Sequence, residues 1–153
     1  MGRLSTWLFR RARWLGYRSY YRLVAANYDR QWLATENRTP AGRFRSYDLL
    51  NRHGSDPMLA ELDAHCGPEA VIYDIGANVG VYALALAVDA PDRRLLAVEP
   101  TPKTCAQLRA NVDCNDLGDR IEIIEGGVGD KDGTRRFFVS TYAELSGFDR
   151  ESA

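Results

Sequence analysis

The sequence predicts an α/β domain built on a parallel β-sheet, and three short apolar runs support this prediction. Residues 71–74, 94–99 and 121–124 are rich in branched apolar side chains, as expected for strands that are covered on both faces. Helix-favouring stretches separate them at residues 79–88 and from residue 102 to about residue 115. Right-handed crossovers between these strands predict the strand order 3-2-1.

One more helix is predicted directly before the first strand. Asp56 can cap the free N–H groups of this helix, and Pro57 suits its first position, where a missing N–H costs nothing. Gly67 and Pro68 end it. At the start of the later helix, Thr101 has the same capping role.

The region after the third strand contains a turn signal at residues 130–133. We therefore expect a β-hairpin between residues 127–129 and residues 136–139. Residues 140–153 are weakly patterned and polar, and we expect them to form a tail.

The N-terminal third is strongly basic. Residues 1–45 carry ten arginines against two acidic residues, a net charge of +8, whereas the remainder carries ten basic and nineteen acidic residues, a net charge of −9. The first part either contacts something anionic or pairs with the acidic remainder. Residues 3–34 predict one or two helices, and residues 36–56 predict a linker or a substrate-proximal segment with little regular structure. We divide the chain into a basic helical extension and linker, residues 1–55, and a domain, residues 56–153.

The predicted N-terminal helix allows two interpretations. A basic, aromatic-rich amphipathic helix can lie on an anionic membrane surface as a peripheral contact. Alternatively, it packs across the domain as a cover, with its arginines in water or paired to acidic residues. No motif that reads bases is present, so the sequence predicts no nucleic-acid partner.

Cysteine content and hydropathy indicate the cellular location of the protein. Cys66, Cys105 and Cys114 are odd in number and lack a C-x-x-C pair or a nearby histidine cluster, which argues against a disulfide framework and a metal site. No apolar run approaches the ~18 residues that span a membrane. The N-terminal stretch lacks the uninterrupted apolar run of a signal peptide, because Arg10, Arg11 and Arg13 break it. We expect a cytoplasmic protein, with peripheral membrane contact as an option.

The stretch 71–80 has the pattern of a strand, a glycine turn and a helix start. Gly76 and Gly80 leave room for a ligand to approach the main chain. The helix start presents N–H groups without helical partners. Asp74 places a carboxylate at the end of the strand, and Asn78 offers an amide that both donates and accepts.

A second acidic residue ends the next strand. Glu99 follows Gly76 by 23 residues, the spacing at which an acid accepts hydrogen bonds from both hydroxyls of a ribose. Pro100 then provides a rigid apolar wall for a base. Together these residues predict a site for an adenosine-type ligand.

The composition of the loop narrows the choice of ligand. Its glycine pattern, G-A-N-V-G, lacks the third glycine of the dinucleotide fingerprint and the lysine of a phosphate-binding loop. Asp74 would repel a pyrophosphate, and no basic residue is present in the loop to neutralise one. An acidic loop of this kind favours a ligand with an amino or sulfonium cation, namely S-adenosylmethionine. An NAD-dependent oxidoreductase stays as the alternative.

These motifs resemble the FkbM-type methyltransferase family. The resemblance rests on D-I-G-A-N-V-G at residues 74–80, V-E-P at residues 98–100, and a helix bearing Leu108, Asn111 and Asn115. The turn 127–130 with Gly133 adds to it, and the match extends over residues 69–139. It implies a class I S-adenosylmethionine-dependent enzyme with a Rossmann-like, three-layer fold that often O-methylates sugars or other small metabolites. The implied acceptor is therefore a small-molecule hydroxyl.

The resemblance also implies roles for individual residues. The methionine and ribose would be lined by Asp74, Gly76, Asn78 and Gly80. Glu99 would hold the ribose, and Gly127 and Val128 would lie near the adenine.

The family continues with a further strand that ends in an Asp-x-Glu-Gly motif, which this sequence lacks after Val139. We therefore expect only the N-terminal half of the sheet, with the catalytic half missing. The chain is then a methyltransferase by family, an inactive cofactor-binding remnant or a subunit completed by a partner. The uncovered sheet edge predicts oligomerisation. The sequence identifies no catalytic base; each of the candidates His53, Asp48 and Tyr47 is better explained as a surface loop residue.

Overall fold

The computed structural model describes residues 3–139 and 147; for residues 3–10, 12 and 13 it describes the backbone alone. The predicted tail lies outside the described residues except for Gly147. Five strands and four helices make up this part of the chain. In chain order they are α1 Arg3–Arg30, β1 Thr35–Thr39, β2 Gly42–Ser46, α2 Pro57–His65, β3 Val71–Ile75, α3 Val81–Val88, β4 Arg94–Glu99, α4 Pro102–Asp113 and β5 Ile121–Glu125.

The central sheet consists of β3, β4 and β5 in parallel, with β4 in the middle. This order is the predicted 3-2-1, and it confirms the α/β fold class. In the register, Ile72 of β3 pairs with Leu95 of β4, which pairs with Ile121 of β5. These side chains join apolar residues of α2, α3 and α4 in one core.

One face of the sheet differs from the prediction. Val71, Tyr73 and Ile75 are exposed, and the Tyr73 side chain keeps 65% of its accessible surface. Successive crossovers of one hand in the order 3-2-1 place α3 and α4 on the same side of the sheet. The expectation that β3 is covered on both faces is therefore wrong for the described residues, which form two of the three predicted layers.

The prediction that residues 36–56 have little regular structure is also wrong, because β1 and β2 form an antiparallel hairpin there. The pair Thr39–Gly42 closes its turn. Phe44 is buried in the core, and the buried Asn37 amide donates to Ser46 Oγ at 2.9 Å. A strand with a single large apolar residue and a polar pair carries little of the alternation that marks strands. The division of the chain between residues 55 and 56 stays a prediction.

The hairpin predicted over residues 127–139 does not form. Residues 126–137 have no regular strand, and Phe138 makes one isolated antiparallel bridge, to Gly147. The turn signal at residues 130–133 is exposed. A turn signal alone does not form a hairpin when the flanking segments bury no common apolar face.

Helix α2 begins as predicted. The Asp56 side chain accepts from the Met58 N–H at 3.0 Å, and Pro57 occupies the first turn. Thr101 occupies the N-cap position of α4, but its side chain makes no capping hydrogen bond. Its own N–H donates to the Glu99 side chain instead.

The C-terminal half of α1 packs on the domain through buried polar contacts. Asn27 Nδ2 donates to the carbonyls of Leu33 and Tyr47 at 2.8 and 2.7 Å. Fully buried Asn111 of α4 donates to Tyr28 Oη and accepts from the Tyr47 N–H. Burial raises the pKa of the Tyr28 hydroxyl. This half of α1 is therefore a cover, the second of the two interpretations. No helix in the described part of the chain is long and apolar enough to cross a membrane.

Candidate cofactor-binding site

The structure brings the eight predicted cofactor residues to one edge of the sheet. Asp74 lies near the end of β3, and the loop from residue 76 to residue 80 leads from β3 into α3. Glu99 ends β4, and Pro100 follows it. The Gly126 N–H donates to the Glu99 carbonyl at 3.0 Å, which places Gly127 and Val128 beyond the end of β5. Ligands bind outside the carboxyl ends of strands in open α/β sheets, and this is that edge.

The two glycines of the loop serve different purposes. Gly76 has φ +80°, and a Cβ added there would meet no atom within 4 Å. Gly80 has φ +87°, and a Cβ there would lie 2.3 Å from Leu108 Cδ1. Gly76 therefore borders open space, whereas Gly80 is required by the packing of α4 against the loop.

Main-chain contacts fix the loop against β4. The N–H groups of Gly76 and Ala77 both donate to the Val98 carbonyl, at 2.9 and 3.0 Å. Asn111 Nδ2 holds the Val79 carbonyl at 2.9 Å. Asn78 adopts φ +50°, a left-handed conformation that asparagine tolerates better than most residues.

The Glu99 carboxylate joins two loops. It is only 7% exposed. Its Oε2 accepts from the Asn78 N–H at 3.1 Å, and its Oε1 accepts from the Thr101 N–H at 2.9 Å. A carboxylate offers about four acceptor sites, so these bonds leave capacity for ligand hydroxyls. Sequence reasoning missed this bridging role, and the ribose role stays a prediction.

Asp74 caps α3 from a neighbouring strand. Gly80 at the N-cap has no side chain, and Asp74 Oδ2 accepts from the Ala83 N–H of the first turn at 3.2 Å. Burial raises the pKa of Asp74, and the bond from Ala83 opposes that shift. A carboxylate that pays this desolvation cost gains from a nearby cation.

The remaining predicted residues are less constrained. Pro100 is partly exposed, and Val128 is exposed in the irregular stretch after β5. The adenine role of Gly127 and Val128 stays a prediction.

The three candidate bases separate in the structure. Tyr47 is buried against α1, and Asp48 accepts a short hydrogen bond from the Tyr20 hydroxyl, so both belong to the α1 interface. His53 instead lies beside Asp56 and Tyr82. Sequence reasoning did not connect these two residues to the site.

A cavity of about 370 Å³ lies away from the glycine loop, beside Arg93, the residue directly before β4. Arg93 lines it and binds Asp63 Oδ1 at 2.6 Å together with the carbonyls of Cys66, Gly67 and Leu86. These bonds make Arg93 a structural brace between α2, α3 and β4, far from the strand ends with the glycine loop. Within the described ranges, no group of three His, Cys, Asp or Glu side chains could hold a metal ion.

Parallel strands in the order 3-2-1, a glycine loop at their carboxyl ends and a glutamate on the neighbouring strand define a nucleotide-binding α/β fold of the Rossmann-like class. Within that class, the chain belongs to the TRM5/TYW2 methyltransferase domain family, whose model matches residues 60–137. The predicted enzyme class, a methyltransferase, and its predicted cofactor, S-adenosylmethionine, are thereby confirmed for the family. The NAD-dependent alternative gains no support.

Curated relatives share the same part of the chain. It is 33% identical over 87 residues to the 31-O-demethyl-FK506 methyltransferase FkbM of Streptomyces tacrolimicus. The aligned region covers 56% of this chain and 33% of the relative. It is 35% identical over 83 residues to the ribosomal RNA small subunit methyltransferase G of a Nocardioides species, which covers 54% of this chain and 32% of the relative. The chain thus spans about a third of the length of these relatives.

Two solved structures are similar to this chain. TYW2 of Pyrococcus horikoshii, in complex with MeSAdo, matches with a TM-score of 0.49 and 20% identity over 65% of this chain and 38% of that chain. The tRNA m1G37 methyltransferase of M. jannaschii matches with a TM-score of 0.47 and 22% identity over 65% of this chain and 32% of that chain.

These comparisons correct the predicted partners. The expectation of a small-molecule acceptor and no nucleic acid is contradicted by the family to which the chain belongs, the TRM5/TYW2 methyltransferase domain. The absence of a base-reading motif misled the prediction, since RNA is often recognised by shape and by stacking on unpaired bases.

The two loop glycines provide a matched pair of variants. Gly76→Ala should cost about 1–2 kcal/mol of unfolding free energy from its positive φ, and should weaken S-adenosylmethionine binding because its methyl enters the open space. Gly80→Ala should cost about 1–3 kcal/mol more, because its methyl also collides with Leu108. Urea unfolding and calorimetric titration measure both effects. Equal destabilisation by the two variants would contradict this account of the loop.

Asp74→Asn should raise the stability of the fold at pH 7 but weaken cofactor binding. The amide oxygen can still accept from the Ala83 N–H but carries no buried charge. Because the folded-state pKa of Asp74 is raised above 3.8, its charge destabilises the fold increasingly as pH rises from about 3.8 through the folded-state pKa. The variant should therefore be more stable than the wild type at pH 7, with the gain vanishing toward pH 3, and should bind the cationic cofactor more weakly. Unfolding curves at both pH values check the sign; a loss of stability at pH 7 would refute it.

Proposed function

We propose that the loop of residues 74–80 and Glu99 bind S-adenosylmethionine, and that this chain is a methyltransferase that acts on RNA. One observation carries the first half of the proposal: Gly76 borders open space in a loop that contacts the carboxylates of Asp74 and Glu99 and that has no basic side chain. Such a site favours a cationic ligand that also carries hydroxyl groups.

The residues present fit the parts of this cofactor. Asp74 would face the amino and sulfonium cations, and the free acceptor sites of Glu99 would take the ribose hydroxyls. Pro100 and Val128 offer apolar surface for the adenine. The cofactor supplies an electrophilic methyl group, and the chain supplies its position and the exclusion of competing anions.

The RNA acceptor is supported by the exposed side of α1 and the turn after it. Trp14 is 50% exposed with the Arg18 guanidinium 4.6 Å from its ring centroid. Trp32 is 67% exposed with the Arg30 guanidinium at the same distance. Aromatic rings paired with guanidinium groups stack on unpaired bases and neutralise phosphates. Arg22, one turn after Arg18 on α1, is also exposed.

Arg52 links α1 to the edge that holds the cofactor loop. Its Nη1 donates to Tyr21 Oη at 3.1 Å, and its guanidinium lies 5.1 and 5.5 Å from the ring centroids of Tyr20 and Tyr21. The next residue, His53, contacts Asp56 at the start of α2. RNA bound along α1 would thus be continuous with the strand ends.

FkbM-type O-methylation of a sugar or other small metabolite is the competing interpretation. Its support is the 33% identity to the Streptomyces enzyme. It does not explain the exposed tryptophans and arginines of α1, whereas the relative named for ribosomal RNA is equally similar. The cytoplasmic location suggested by three free cysteines stays a prediction.

Calorimetric titration with S-adenosylmethionine, S-adenosylhomocysteine and NAD tests the cofactor. We expect the first two to bind and NAD not to bind. Fluorescence anisotropy with a labelled tRNA transcript tests the acceptor in the same preparation. We expect binding whose affinity falls steeply with salt, and a shallower salt dependence for the variant Arg18→Ala, Arg22→Ala.

Arg94→Ala is the matched control, because Arg94 is an exposed arginine at the amino end of β4. It should leave the salt dependence close to that of the wild type. NAD binding without binding of the adenosylated ligands would overturn the cofactor assignment. Equal losses in both arginine variants would remove α1 from the RNA site, and radiolabelled methyl transfer to glucose or mannose but not to tRNA would favour the FkbM-type alternative.

A further inference from the structure

A second polar cluster lies beside the cofactor loop, and the proposal above assigns it no chemical step. It consists of His53, Asp56 and Tyr82. His53 Nδ1 is 3.3 Å from Asp56 Oδ2, and the same oxygen accepts from the Tyr82 hydroxyl at 2.8 Å. Asp56 Oδ1 accepts from the Met58 N–H. The imidazole keeps 40% of its side-chain surface exposed.

Asp56 is held in place by these contacts and in turn orients the histidine. The bonds from Tyr82, His53 and Met58 lower the pKa of Asp56, with Tyr82 the largest cause. An ionised carboxylate beside Nδ1 favours the tautomer with the proton on Nδ1. The Nε2 atom then carries a free lone pair.

The cluster borders the cofactor loop. Tyr82 lies in the first turn of α3, two residues after Gly80. The charge of Asp74 contributes to the raised pKa of Tyr82, although the bond to Asp56 is its largest cause. The next residue, Ala83, donates to Asp74. The titratable groups that contact the imidazole are Asp56 at the start of α2 and Tyr82 on α3. Asp74 on β3 acts on Tyr82, and Arg52 is the preceding residue.

We propose that His53 is the general base of the methyl transfer and that Asp56 is its positioning residue; this rests on the proposed function. An acceptor N–H or O–H attacks the methyl carbon, and a new bond forms between the acceptor atom and that carbon. The carbon–sulfur bond breaks, its electron pair stays on sulfur, and S-adenosylhomocysteine leaves as a neutral thioether. His53 Nε2 takes the acceptor proton, and Asp56 stabilises the resulting imidazolium.

The chain contains only two histidines, which makes the first test direct. His65 is exposed in the last turn of α2 and serves as the internal control. We expect diethyl pyrocarbonate to modify both residues. S-adenosylhomocysteine with a tRNA transcript should slow modification of His53 by about fivefold or more and leave His65 unchanged. Equal protection, or none at His53, would overturn the assignment without reference to activity.

The second test is single-turnover methyl transfer to tRNA as a function of pH. The wild-type rate should rise with pH, as expected for a reaction that needs a general base. His53→Gln should lower the rate by about a hundredfold or more and remove that rise, while titrated S-adenosylmethionine affinity stays unchanged. Asp56→Asn should lower the rate less and shift the pH profile, and His65→Gln should change neither.

The outcomes distinguish this inference from the proposed function. Loss of cofactor binding in the wild type would contradict the proposed function itself. Intact cofactor and RNA binding with an unchanged rate and pH profile in His53→Gln would overturn only the role of His53. Binding of both ligands by a wild type that transfers no methyl group would also remove His53 as a base in this chain.

Discussion

The site depends on one buried carboxylate. Glu99 accepts N–H groups from Asn78 and Thr101, which belong to the loops that follow β3 and β4. Charge-assisted bonds of this kind contribute roughly 1.5–3 kcal/mol each. Without them, a carboxylate that is 7% exposed would be costly to bury. Glu99 thus fixes the loop conformation in which Gly76 faces open space.

A second buried polar residue extends this support to the N-terminal region. Asn111 holds the Val79 carbonyl of the cofactor loop, the Tyr28 hydroxyl of α1 and the Tyr47 N–H after β2. The basic N-terminal region is therefore part of the scaffold of the site. It also carries the exposed aromatic residues that we assign to RNA, so one segment both stabilises the cofactor loop and extends the binding surface.

Local patterns were sufficient to predict the parallel sheet and the edge that carries the site. The three parallel strands are short, largely apolar runs, and Asp74 and Glu99 lie at the carboxyl ends of two of them. Asp56 with Pro57 starts α2 as their chemistry requires. These features depend on residues within a few positions of each other, so periodicity and capping rules reach them.

The features that the sequence did not predict depend on residues that are distant in sequence or that pair through polar groups. The β1–β2 hairpin depends on the Asn37–Ser46 bond and on Phe44 entering a core formed by later helices. The partners of His53 include Tyr82, which follows it by 29 residues. The failed hairpin after β5 shows the converse, because a strong turn signal has no effect without a shared apolar face.

Calorimetric titration of Glu99→Gln with S-adenosylmethionine tests the central claim most directly. The glutamine side chain has one oxygen and one NH₂ group in place of two carboxylate oxygens. Its NH₂ group would therefore face the backbone N–H of either Asn78 or Thr101, two donors without an acceptor between them. We expect cofactor affinity to fall by about tenfold or more, a loss of about 1.4 kcal/mol or more. Glu122→Gln, at an exposed position on β5, should retain wild-type affinity. Unchanged affinity in Glu99→Gln would contradict the account of how this loop is held.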